Sequence, residues 1–348
     1  FVSSRVALLD IFLMLLVLVA FGCLLLNRDA RRREFLERLE AGGDLRRGVD
    51  RRLRDVPWWL FAAGVVTGLA LGVKWSALWF ALAFVALAFV WEARARKSAG
   101  VRRPWWDTVG RDLGWFAAFL GFVLLAYLAT WTGWFVTDAG WDRHWAETTG
   151  NSLPLVPDAL INLWHYQKAV YDFHAGLSAK HDYQSTPWSW LFLGRPVAYY
   201  YTGEGNCGAD RCAAHILALG NPLLWWSFGA ALVATAWGWL ARRDWRGAAI
   251  LACVGAGLVP WTFYPDRTMF LFYALPALPF LVLAVTYALG MLLGPVTADR
   301  DRRLLGVGLA GLYVLLVAAT FAYFYPVYTG ELLPYEDWHN RMWFDSWI

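Results

Sequence analysis

LGWFAAFLGFVLLAYLATWTGWFVT, residues 113–137, carries no charged side chain. As a helix it is long enough to cross the roughly 30 Å hydrocarbon layer of a bilayer. Immediately before it, residues 92–112 hold six basic residues; immediately after it comes a long polar stretch, 135–214. That stretch includes HYQKAVYDFH (165–174) and HDYQSTPWSW (181–190), and five of the six histidines lie in it or at its edge. The same alternation of uncharged run and polar link extends outward in both directions. Val6 to Leu26 is apolar apart from Asp10, and residues 56–73 and 75–91 are uncharged runs interrupted by Lys74. After the polar stretch come four more apolar runs at about 216–241, 247–264, 268–291 and 304–326. A chain of 348 residues with 59% hydrophobic residues and 24 Trp, arranged in this way, is an all-α polytopic membrane protein.

The basic residues set an expected orientation. Segments 27–55, 92–112, 242–246 and 299–303 hold 22 of the 31 Lys and Arg, which assigns them to the cytoplasm. Run 56–91 then starts and ends inside, so it reads as two short helices with Lys74 near the outer turn. A single bent, re-entrant helix also satisfies the sides. The count is about eight spans, at 6–26, 57–73, 75–91, 114–134 and the four later runs within 216–326. Segment 135–215 is one large external loop domain, and 327–348 an external tail. The mixed-charge stretch 27–55 reads as a solvated linker with an amphipathic helix near 31–39. Phe1 is not Met, and no basic flank and signal peptide precede the first run, so a fragment with an upstream start is expected. No basic patch carries base-reading aromatics, which argues against nucleic acid as a partner. No internal repeat of the transporter kind is visible.

Ionisable residues at membrane depth are functional candidates. Arg5, Asp10, Lys74, Asp266 and Arg267 all fall at outer ends of spans. One alone would be read as snorkelling to the interface or pairing locally. Three cations and two acids at one expected level favour a shared anionic ligand such as a lipid phosphate. In the polar stretch, Ser185-Thr-Pro-Trp-Ser-Trp190 packs two Trp into a Pro-fixed turn beside His181. Such faces suit sugar rings and bilayer interfaces alike. His165, His174 and His181 are nine and seven apart, not close metal-ligand spacings, and no metal site is expected. Cys207 and Cys212, on the expected oxidising side, are candidates for a small-loop disulfide. Cys23 and Cys253 read as apolar fillers within spans.

With these residues in view, the chain resembles the polyprenyl-phosphate-mannose-dependent protein O-mannosyltransferases in their bacterial, actinobacterial form (GT-C superfamily, glycosyltransferase family 39). The matching motifs are Ser4-Arg5-Val-Ala-Leu-Leu-Asp10, Gly72-Val-Lys74-Trp-Ser76, His181 through Trp190, Arg267-Thr-Met-Phe-Leu-Phe-Tyr-Ala-Leu-Pro276-Ala, and Arg341 through Ile348. Their order and spacing together make the resemblance specific, over nearly the whole chain. It implies a GT-C helical bundle of about eleven spans, of which three would lie upstream of Phe1. The family's presumed catalytic base, an Asp in the first external loop, would lie there too. The resemblance therefore implies no catalytic residue in this stretch and a fragment inactive alone. Eukaryotic members insert a β-trefoil domain into the large loop, for which this loop has no room. They also carry a Tyr-His-Tyr pattern where this chain has Phe272-Tyr273-Ala274, so that His has no counterpart.

The implied reaction is mannose transfer from polyprenyl-phosphate-mannose to Ser or Thr hydroxyls of secreted or membrane proteins. It would take place at the outer face of the plasma membrane, with the acceptor met at the secretion translocon. Arg5, Lys74 and Arg267 would bind the donor phosphate, supported by Asp10 and Asp266. His181, Ser185, Trp188 and Trp190 would serve the acceptor or sugar. The lipid-linked donor is a substrate, and no separate cofactor is expected. Two alternatives remain open. Another GT-C transferase acting on a lipid or glycan shares the phosphate logic but not the Ser185–Trp190 motif. A transporter or structural subunit would line a path with charges, whereas these stop at one level.

Overall fold

A computed structural model describes residues 1–46, 48 and 56–348 of the chain. In chain order its elements are α1 (Val2–Arg5), α2 (Leu9–Glu40), α3 (Trp58–Val73), α4 (Ala77–Ser98), α5 (Pro104–Thr130), α6 (Thr132–Val136), α7 (Trp145–Thr149), α8 (Asp158–Ala175) and α9 (Pro187–Trp190). Then follow β1 (Val197–Thr202), β2 (Cys212–Ala218), α10 (Pro222–Arg242), α11 (Trp245–Leu258), α12 (Leu278–Leu293), α13 (Arg300–Thr329), β3 (Leu333–Pro334) and α14 (Tyr335–His339). Among the described residues seven helices are long and apolar enough to cross a membrane, two of them counted with an adjoining 3-10 turn. Helix α3, at 16 residues, is the shorter eighth apolar helix, close to the expected count.

The chain divides into two compact units, Leu15–Ala179 and Phe1–Met14 with Lys180–Ile348; the boundary falls inside α2. In the first, α3 packs along α5 through Gly64, Gly68 and Gly72, one residue per turn and a little more. A Cβ at Gly64 would meet the Phe119 carbonyl at 2.8 Å, and one at Gly72 would meet Thr130 Oγ1 at 2.7 Å. Gly68 lies against Val123 and Ala126. The contacts advance together along both helices, so α3 and α5 run parallel. The intervening α4 must return between them, which makes 56–91 two helices rather than one bent one. Small residues allow this approach where lipid supplies no hydrophobic drive.

The expected linker at 27–55 is corrected in its first half. Helix α2 continues without a break to Glu40. Buried charges hold it there: Arg96, 0% exposed, bonds Glu92 and Asp107 at 2.8 Å and Asp112 at 2.7 Å, and Arg31 Nε lies 3.6 Å from Glu92. The second half of that stretch, at 47 and 49–55, lies outside the described residues. Most of 92–112 is helical as well, because α4 runs to Ser98 and Pro104 opens α5 at a position where proline costs no hydrogen bond.

In the second unit the expected loop and span boundaries also shift. Residues 212–218 form a strand, not the edge of a loop and the start of a span. It pairs antiparallel with β1 and, at Cys212 and Ala213, with β3. The span begins later, at Pro222, where Asn221 caps α10 by accepting the Leu224 N–H at 3.1 Å. The expected polar tail is packed: Trp338 and Trp347 are buried, and Trp347 Nε1–H donates to the Leu193 carbonyl at 2.7 Å.

Candidate functional site

Two motifs about 80 residues apart in the chain meet in the second unit. The Ser185 N–H donates to the Met269 carbonyl at 2.8 Å, and the His181 ring meets Phe270 edge-on at 5.1 Å. Pro187 opens the one-turn helix α9. Within it Trp190 is 0% exposed, its Nε1–H donates to Ser185 Oγ at 3.0 Å, and its carbonyl accepts Trp225 Nε1–H at 2.6 Å. This corrects the expectation for Trp190: the indole is a core anchor with no face left for a sugar. Ser185 is half-buried and accepts that indole proton, whereas Trp188 is 75% exposed and presents an open face. His181 is exposed, and its Nδ1 accepts the Tyr183 N–H at 3.1 Å.

Arg195 locks this turn to the end of the chain. Its guanidinium donates to the carbonyls of Asp182, Ser346 and Ile348 at 3.0, 2.6 and 2.7 Å, and stacks over Tyr183 at 5.1 Å. The motif from Arg341 to Ile348 is thereby a brace for the one at 181–190.

Arg267 is half-buried beside an aromatic pair. Its guanidinium carbon lies 5.8 Å from the Trp261 centroid and 5.9 Å from that of Tyr273; those rings are 4.7 Å apart, and Tyr273 reaches Trp190 at 6.3 Å. Aromatic rings beside a guanidinium favour its positive charge, and a guanidinium matches an oxyanion in geometry. Asp266 next to it is exposed.

Arg5 ends α1, is exposed, and lies over Phe1 at 5.2 Å. Helix α1 packs on β2. Asp10, in the first turn of α2, is only 3% exposed. Burial raises the pKa of Tyr199 on β1, and the Asp10 charge raises it further. Asp10 thus stands by the sheet. Lys74 belongs to the other unit. It is extended, at φ −159°, in the link between α3 and α4, and half-buried. Beside it Trp75 Nε1–H donates to Tyr127 Oη at 3.2 Å, and Tyr127 donates to Gln167 Oε1 of α8 at 2.8 Å.

Cys207 and Cys212 are joined in a disulfide at the tip of the β1–β2 hairpin, with Cα atoms 5.9 Å apart. The histidines disperse. His165 stacks on Trp145 at 4.0 Å and meets Asp142 at 3.0 Å; His215 lies buried in the sheet, accepting Trp338 Nε1–H at 3.2 Å. Among the described residues no three His, Cys, Asp or Glu side chains gather as metal ligands.

Sequence reading missed the aromatic pair Trp261 and Tyr273 beside Arg267, the Arg195 brace and the glycine row of α3. The glycine row had a signal, three glycines at four-residue spacing ending in Gly72-Val-Lys74. The aromatic pair had only the nearness of Trp261 and Tyr273 to Arg267 in a chain rich in aromatics.

Residues 159–347 match the family model described as the C-terminal four-transmembrane region of protein-O-mannosyltransferase. The whole chain is 39% identical to the polyprenol-phosphate-mannose–protein mannosyltransferase of Mycobacterium tuberculosis, covering 68% of that protein. It is 38% identical to the Mycolicibacterium smegmatis protein of that name, covering 69% of it. With the Corynebacterium glutamicum protein the identity is 32% over 99% of this chain and 68% of the relative. The matched region contains His181–Trp190, Arg267 with its aromatic pair and the Arg195 brace, and the chain belongs to the protein-O-mannosyltransferase family.

Proposed function

We infer that the protein transfers mannose from a polyprenyl-phosphate carrier to Ser or Thr hydroxyls of proteins. The carrying observation is the docking of His181–Trp190 on Met269–Tyr273 beside Arg267, all within the segment matched to the family. It is supported by relatives named for this activity and 38–39% identical over the full chain. The chemistry needs cations for the departing lipid phosphate and a base for the acceptor hydroxyl. In this reading Arg5, Lys74 and Arg267 are phosphate candidates. Asp10 and Asp266 orient the cations. His181, Ser185 and Trp188 serve the acceptor or sugar side. The lipid-linked sugar is the only small molecule this reading requires. The reading also places the sheet and the tail outside the plasma membrane, where secreted polypeptides emerge from the translocon.

Protein expressed from its complete gene is given polyprenyl-phosphate-[³H]mannose and a Ser/Thr-rich peptide. Label is expected in the peptide. Lys74→Ala is expected to lower the rate by about 10²- to 10³-fold, the size of losing one pre-organised charge partner at a reacting centre. Label in a lipid product, with none in the peptide, would replace this reading with a lipid-modifying transferase. An unchanged rate in Lys74→Ala would remove that residue from the site.

A further inference from the structure

A β-strand sends alternate side chains to opposite faces, and an inserted residue breaks that order. In β1, Ala198 pairs with Leu217 and Tyr200 with Ile216, so Tyr199 has no partner on β2. Tyr199 is the bulge residue. Tyr200 and Tyr201 are exposed, while the Tyr199 ring is turned inward and its Oη is wholly buried. That hydroxyl has no hydrogen-bond partner among the described residues. A buried hydroxyl without a partner costs stability and is uncommon in native proteins. Bulges are enriched beside active sites, where they re-aim a side chain. One charge acts at this place. The buried Asp10 carboxylate acts on the Tyr199 phenol, and α1, which ends in Arg5, packs on the strand paired with β1. A phenol donor with a carboxylate near it suits a glycosyl phosphate, whose oxygens need donors and whose hydroxyls need acceptors.

We propose that the Tyr199 hydroxyl, presented by the bulge beside Asp10, donates a hydrogen bond to an oxygen of the bound glycosyl-phosphate head group. This rests on the donor assigned above. It adds a positioning residue to that site and gives the hydroxyl the partner it lacks.

The test compares wild-type protein with Tyr199→Phe, which keeps the ring and removes only the oxygen. The unfolding midpoint of Tyr199→Phe is expected to be unchanged or higher, because no protein bond is lost. Its kcat/KM for polyprenyl-phosphate-mannose is expected to fall about 10- to 100-fold, as for a lost hydrogen bond to a charged or strongly polar partner. Inhibition by polyprenyl phosphate, which lacks the sugar, locates the contact. A matching rise in its inhibition constant points to a phosphate oxygen, and an unchanged constant to a sugar oxygen; both support the proposal. Wild-type kcat/KM in Tyr199→Phe overturns it. So does a loss of activity that only follows a lowered midpoint, which would make the hydroxyl structural. Wild-type protein that labels nothing would sink the assigned function and this inference with it, whereas an active wild type with an equally active variant sinks this inference alone.

Discussion

Arg96 is fully buried at the end of α4, yet it meets three carboxylates, those of Glu92, Asp107 and Asp112. Removing the guanidinium would leave these acids facing one another away from water. Arg96→Met is therefore expected to destabilise the protein by about 3–5 kcal/mol, the cost of breaking a buried ion pair from one side. Thermal unfolding in detergent or nanodiscs reads this out. Adding Asp112→Asn is expected to recover part of the loss, since it removes one orphaned charge. His215 gives a second test. Burial lowers its pKa from 6.5 to about 4. The unfolded chain thus takes up a proton that the folded chain refuses. Stability is complete above pH 6.5, declines as pH falls below it, and is lost to the extent of about 3 kcal/mol by pH 4. The midpoint of wild-type protein should drop across that window more steeply than that of His215→Gln; parallel curves would show that another group carries the dependence. At this scale the sequence was partly legible. Arg267 and Lys74 stood out as charges bordering apolar runs. Trp190 was misread because a Trp in a Pro-fixed turn looks alike whether it faces a sugar or the core. Only the Ser185 and Trp225 hydrogen bonds decide between them.

At the scale of elements, the long uncharged runs predicted the helices because burial of the backbone in lipid permits little else. The ends were misplaced even where a residue marks them: Pro104 opens α5 and Asn221-Pro222 opens α10, whereas the apolar runs put those starts at about 114 and 216, because apolarity alone does not register a cap. The sheet was not foreseen. Its strands are short, and Cys212–Ala218 is followed closely by an apolar helix, so the two merge into one apolar run. The glycine row of α3 decides how its helices pack and gives a sharp prediction. Gly68 lies against the Val123 carbonyl and Ala126, while a Cβ at Gly121 on α5 would meet nothing within 4 Å. Gly68→Val is expected to cost on the order of 1–3 kcal/mol by forcing α3 from α5. Gly121→Ala is expected to be neutral or slightly stabilising. Equal unfolding midpoints for the two variants would show that the close approach does not hold this pair together.

For the whole molecule the informative pattern is which helix ends share a level within each unit. In Leu15–Ala179, the buried ions join the later part of α2, the end of α4 and the start of α5. The basic segments 27–46 and 92–112 therefore lie at one end, and Lys74 with the last turn of α5 at the other, where Gly72 faces Thr130. In the second unit, Tyr287 of α12 donates to Asp244 at 3.1 Å, and Arg302 donates to the Leu292 carbonyl at 2.6 Å. The basic links 242–246 and 299–303 thus share one end, remote along α12 from the 3-10 turn at Leu271–Ala277 that follows Arg267. Each unit, taken by itself, gathers its basic links at one end, as a rule counting Lys and Arg requires. Packing and charge distribution are separate consequences of the sequence, so their agreement supports the sidedness proposed above. Single cysteines at Asp266 and Glu331, both exposed, are expected to react with a membrane-impermeant maleimide on intact cells. Cysteines at Arg102 and Thr297, exposed at the basic ends, are expected to react only after permeabilisation. Cys207 and Cys212 are tied to each other, and Cys23 and Cys253 lie within apolar helices, so the background should be low. The reverse labelling would invert the protein and remove Arg267 and the sheet from the side where secreted acceptors emerge. A mixed pattern within one unit would contradict the helix directions themselves.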